Sequence, residues 1–132
     1  MNYLSIFLRL VVAGIFFQTL FFKFSGSEES IYIFTTVGIE PWGRYASGVM
    51  ELVCGILLLV PSTKIFGSVT GIGIISGAIL SHLTILGIEV KGDGGLLFYL
   101  ALAIFVGCLA IFFIHRDEAL ELYKNNLKKL FP

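Results

Sequence analysis

Charge is scarce in this chain. Of its 132 residues only 14% are charged, against about 25% in an ordinary soluble domain. Lys and Arg balance Asp and Glu at a net charge of zero, so there is no global basic field to attract nucleic acid. Cysteine occurs only as Cys54 and Cys108. A disulfide scaffold is therefore excluded, and the C-x-x-C pair of a thiol oxidoreductase is missing. The two histidines, His82 and His115, stand in no His-x3-His or Glu-x2-His pattern, and no metal site is expected. The sequence also lacks a phosphate loop, a nucleophile elbow and a dinucleotide-binding glycine pattern.

What remains is apolar. Hydrophobic residues make up 57% of the chain, with 13 Phe, and mean hydropathy is +0.95. A soluble domain of this length buries only about two-thirds of the surface its unfolded chain exposes, so this much apolar surface calls for a bilayer. Four segments are long enough to span one: about 3–24, 45–60, 65–88 and 96–114. They predict an all-α fold, a transmembrane four-helix bundle filling residues 1–132 as a single domain. The first segment lacks a basic leader and a small-x-small cleavage site before Lys23, and is read as a retained helix.

Turn signals separate the spans. Ser25-Gly26-Ser27 follows the first, and Glu40-Pro41-Trp42-Gly43 precedes the second. Pro61-Ser62-Thr63 is so short that the second and third spans must be antiparallel neighbours. Lys91 to Gly95 divides the third from the fourth, with Asp93 as an N-cap. Ile31 to Val37 is too short to cross and is expected to lie against the outer face. The tail 116–132 places Leu120, Tyr123, Leu127 and Leu130 at helical spacing among lysines, as in an interfacial amphipathic helix.

With four spans both termini share a side. That side holds Arg9, Lys64, Arg116, Lys124, Lys128 and Lys129, while the other holds Lys23, Arg44 and Lys91. The imbalance predicts cytoplasmic termini in a bacterial inner membrane.

Polar residues inside the spans are the candidate site. Glu51 lies in Gly48-Val-Met-Glu51-Leu-Val-Cys-Gly55, where the two glycines permit close helix approach. An intramembrane carboxylate needs a partner. Arg9, roughly 9 Å in from the cytoplasmic edge against roughly 15 Å for Glu51, is expected to supply it as a buried Arg–Glu pair. That pair serves either as a staple between the first two spans or as the wall of a ligand site. Gln18, Lys23, His82 and Glu89 reach similar heights near the outer interface and are expected to surround one mouth. Cys54 and Cys108, both about 10 Å from the cytoplasmic edge, read as inert packing thiols. Gly67-x3-Gly71 and Gly73-x3-Gly77-x3-Ser81 read as close-packing stripes of the third span.

These elements, taken in order, resemble the DoxX-like family of small four-helix membrane proteins. The first is Arg9 with Gly14, Phe17 and Lys23. Next come Phe34-x3-Gly38-x2-Pro41 and Gly48-x2-Glu51-x3-Gly55. Gly77-Ala78-Ile79-x2-His82 closes the pattern. The resemblance covers nearly the whole chain and implies the four-helix bundle. It implies less about activity: the family is named for a subunit associated with a thiosulfate–quinone oxidoreductase, and relatives are linked to membrane oxidoreductases or to assembly of other proteins. Arg9, Glu51 and His82 match its polar pattern.

Three functions fit these residues. In the first, the bundle binds a quinone or lipid in a cavity near His82 floored by Arg9 and Glu51, as accessory subunit of a membrane oxidoreductase that supplies the electrons. No catalytic motif or cofactor site of its own is evident. In the second, it is an assembly protein that docks a membrane or cytoplasmic partner through the basic tail. In the third, it is a small proton-coupled transporter, which with four spans would need a homo-oligomer.

Overall fold

A computed structural model describes residues 2–131. It consists of helices α1 (Tyr3–Ser25), α2 (Glu28–Val37), α3 (Trp42–Leu59), α4 (Lys64–Ser81), α5 (Leu96–Ile114) and α6 (Arg116–Leu130). A short 3-10 turn at Pro61–Thr63 leads into α4, and a π-helical turn at His82–Leu86 extends it. No strand occurs among the described residues.

Local chemistry explains the boundaries. The Asn2 side chain accepts the Ser5 N–H at 3.0 Å and caps α1. Gly26 ends α1 in the left-handed region at φ +71°, where a Cβ would be strained. Ser27 caps α2, whose first turn carries Glu28 and Glu29, both favourable at a helix N-terminus. The stretch 31–37 is thus the body of a ten-residue helix. α3 begins three residues earlier than the sequence suggests, at Trp42 just after Pro41, and stops where Val60 turns extended before Pro61, as the proline ring requires. The fourth span matches expectation.

The third span departs from regular α geometry at its far end. Gly87 N–H donates to the His82 carbonyl at 2.7 Å, and the His82 ring Nδ1 donates to the Gly87 carbonyl at 2.9 Å. These two bonds close the π turn and end the span at Leu86 instead of residue 88.

Helices α1, α3, α4 and α5 pack as a closed ring, each against the next and α5 back against α1. Successive members run in opposite directions. Phe16 of α1, Cys54 and Leu58 of α3, Ile75 of α4, and Ile104, Cys108 and Ile111 of α5 fill the centre. All four spans are long and apolar enough to cross a membrane. Many large apolar side chains, including Phe7, Phe21, Val53 and Val106, are exposed on the outside, where lipid tails would cover them.

Glycines set the closest approaches. A Cβ on Gly67 would lie 2.7 Å from the Leu58 backbone nitrogen, and one on Gly71 would lie 2.7 Å from the Cys108 sulfur and 3.3 Å from that of Cys54. The Gly67-x3-Gly71 stripe therefore packs as expected, and both thiols converge on it. The Gly73-x3-Gly77 stripe does not. A Cβ on either residue would meet nothing within 4 Å, because these positions lie on the opposite side of α4 and look outward.

Candidate functional site

The strongest polar cluster inside the spans lies between α1 and α3, toward the end of the bundle covered by α2. Lys23 and Glu51 form an ion pair, with side chains 18% and 6% exposed. Thr19, one turn before Lys23 on the same face, donates from Oγ1 to the second Glu51 carboxylate oxygen at 3.1 Å. Glu51 thus has both oxygens occupied. Counting from Trp42, it lies about 13 Å along α3.

The pairing corrects the expected Arg9–Glu51 bridge. Helical side chains lean toward the N-terminus of their own helix. α1 and α3 are antiparallel, so Lys23 leans down toward the middle of the bundle while Glu51 leans up to meet it. Arg9, on the same helix as Lys23, also leans down, which carries it away from Glu51. Its Nη1 donates to the Leu58 carbonyl at 3.2 Å, serving the orphan carbonyls at the end of α3. The Arg9 Nε is buried without a hydrogen-bond partner. Arg9 is level with Leu58, about two turns along α3 from Glu51, so the register of α1 on α3 and side-chain direction together decide the partner.

Above the pair, Arg44 is 5% exposed. Its Nε donates to Glu40 at 2.9 Å, its Nη1 donates to the Lys23 carbonyl, and its guanidinium lies 4.5 Å from the Tyr45 ring centroid. The Lys23 ammonium stands 5.8 Å from the centroid of the Phe34 ring of α2. Two ion pairs, Glu51–Lys23 and Arg44–Glu40, therefore run from mid-span to the bundle rim, joined by the Arg44 bond to the Lys23 carbonyl. Thr19, Glu40 and Arg44 are site residues that sequence reasoning passed over. Two signals pointed to them: Thr19 and Lys23 share a face at i, i+4, as do Glu40 and Arg44.

The remaining candidates do not join this cluster. His82 is 5% exposed and is held by Gly87 and by an edge-to-face contact with Phe98, with centroids 5.6 Å apart. Glu89 is exposed and accepts the Gly94 N–H at 3.4 Å within the α4–α5 loop. Gln18 is exposed on α1. The expected single mouth of Gln18, Lys23, His82 and Glu89 is thus dispersed over separate surfaces. In the same loop Asp93 accepts N–H bonds from Val90, Gly95 and Leu97. Burial opposes its ionisation, but these bonds and the neighbouring His82 prevail and hold its carboxyl below the ordinary value. It organises the entry to α5, but the N-cap position that the sequence assigned to Asp93 is held by Gly95.

Four membrane-length helices closed around an internal ion pair define a small α-helical integral membrane protein. Comparison with known families narrows the class. The family model described as DoxX matches residues 4–84, more than half of the chain, and the chain belongs to the DoxX family. The match spans Arg9, Gln18, Lys23, Glu51 and His82, and stops short of α5 and α6. No curated protein and no solved structure matches the chain.

Proposed function

We propose that this DoxX protein binds a hydrophobic molecule with a polar head, of the lipid or quinone class, at the Lys23–Glu51 pair. The observation that carries the reading is a hydrogen-bonded ion pair within the spans, with the ammonium partly exposed beneath α2. An ionised pair in a bilayer is costly, and replacing such a pair by apolar residues is often neutral or stabilising. Packing alone is therefore a weak reason to keep it. The Lys23 ammonium has three donors and offers a hydrogen bond to a carbonyl or phosphate oxygen, while Phe34 faces it and the stacked Phe24 and Tyr45 rings lie beside the adjoining Arg44. In this reading the chain positions the ligand, and a partner oxidoreductase in a bacterial inner membrane supplies the electrons. The Lys and Arg distribution supports cytoplasmic termini, with the Lys23 end facing outward.

The test is native mass spectrometry of the chain purified in mild detergent. A bound apolar molecule is expected on the wild type and absent from the Lys23→Met/Glu51→Leu double variant, which keeps side-chain volume and leaves no stranded charge. A double variant that folds and retains the same molecule would overturn the reading.

A further inference from the structure

Helix α6 poses a problem that the proposed site leaves untouched. All but one of its residues are exposed, and Leu120, Tyr123, Leu127 and Leu130 are among them. Yet its root is fixed. One Glu118 carboxylate oxygen accepts from Lys64 of α4 at 3.1 Å. The other accepts from His115 Nδ1 at 3.2 Å, and His115 Nε2 in turn accepts the Ser5 hydroxyl of α1 at 2.6 Å. The first turn of α6, which follows directly on α5, is thereby tied to α4 and α1 as well.

This clamp holds α6 beside the outer surface of α4 and α5 and leaves a groove of about 500 Å³ between them, a volume within the range of small-molecule sites. From the bundle, Phe66, Val69 and Phe112 line it; from α6, Ala119, Leu120 and Tyr123 do so, with Arg116 at the same wall. Phe66, Val69 and Phe112 belong to membrane spans. α6 starts one residue after α5 ends, at the edge of the hydrocarbon. The groove therefore opens into the acyl region of one leaflet.

Arg116 is the one charged residue in the lining of the groove. At 100° per residue, Arg116 falls in the middle of the arc shared by Ala119, Leu120, Tyr123 and Leu127. Asp117, Glu118 and Glu121 do not line the groove. An apolar slot with a single cation at its wall fits a molecule with an acyl tail and an anionic head.

We propose that the groove between α6 and the α4–α5 face is a binding site for an anionic glycerophospholipid. One acyl chain lies against Phe66, Val69 and Phe112, and the phosphate rests on Arg116. The site is at the opposite end of the bundle from Lys23 and Glu51, so either proposal can fail without the other.

The full chain in mild detergent, titrated with phosphatidylglycerol or phosphatidylcholine and read by native mass spectrometry, tests this. One phosphatidylglycerol is expected to bind about fivefold more tightly than phosphatidylcholine, the ratio given by roughly one favourable cation near an anionic head. Arg116→Gln is expected to abolish that preference. Ala119→Trp, which fills the slot from an exposed helix, is expected to remove the bound lipid while circular dichroism stays unchanged. Equal affinity for the two lipids, or a preference that survives both substitutions, would overturn the proposal. So would a dimer that Ala119→Trp dissociates, since a second copy would then occupy the groove.

Discussion

If Lys23, and not Arg9, is the partner of Glu51, a double-mutant cycle will show it. In Lys23→Met the Glu51 carboxylate, 6% exposed, keeps only Thr19. Stranding a buried charge costs about 3–5 kcal/mol, and the retained Thr19 bond places this variant near the lower figure. Glu51→Gln is milder. Lys23 is 18% exposed and stands two residues before the end of α1, so its flexible stem can carry the ammonium to water. The amide still accepts from Thr19, and the loss is about 1 kcal/mol, the scale of one interhelical hydrogen bond in a membrane. The Lys23→Met/Glu51→Gln double variant strands no charge and is expected to lie near the milder single variant. The coupling is then about 2–3 kcal/mol. Arg9→Met and Glu51→Gln share no contact and are expected to add within about 0.5 kcal/mol. Equilibrium unfolding in mixed detergent micelles, followed by circular dichroism and Trp42 fluorescence, gives both numbers. A Lys23–Glu51 coupling below about 0.5 kcal/mol, or an Arg9–Glu51 coupling above about 1 kcal/mol, would refute the assignment.

Two more expectations follow from packing and from the loop. Gly67→Ala drives a Cβ against the Leu58 backbone, which cannot rotate away, and should destabilise the chain by about 1–3 kcal/mol; Gly77→Ala meets open space and should stay within about 0.5 kcal/mol of wild type in the same unfolding assay. Asp93→Ala removes the acceptor for three backbone N–H groups and should cost about 1 kcal/mol. Because folding lowers the Asp93 pKa from its usual 3.8, its contribution is fully present above that value and is lost as pH falls through the lower folded one. Hydrogen exchange across residues 87–95 should therefore accelerate in wild type below pH 3.8 and change less in Asp93→Ala.

Much of the bundle was legible because its signals are additive along the chain. Apolar runs of spanning length, Pro61, and the glycines at 26 and 38 fix where helices begin and end. The same scarcity of charge singled out Lys23, Glu51 and His82. Their partners were less legible. Rise counted from the expected span edges puts Arg9 within about one turn of Glu51; the packed register of α1 on α3 instead sets Arg9 level with Leu58, and the N-terminal lean of helical side chains joins Lys23 to Glu51 across antiparallel helices. The glycine stripes of α4 show the same gap. Identical spacing marks Gly67-x3-Gly71 and Gly73-x3-Gly77, and only the rotation of α4 in the ring buries the first and exposes the second.

The sequence by itself determined the solvent, the number of spans, the turns and the short list of residues able to do chemistry. These depend on transfer free energy and backbone preference, which each segment carries locally. Tertiary structure alone decided who meets whom. It placed Thr19 and Lys23 on Glu51, turned Arg9 onto the end of α3, folded His82 back on Gly87, and tied the root of α6 through Glu118 to Lys64 and His115. Such choices depend on helix rotation and side-chain direction to within a few ångströms, and no spacing rule along one chain contains them.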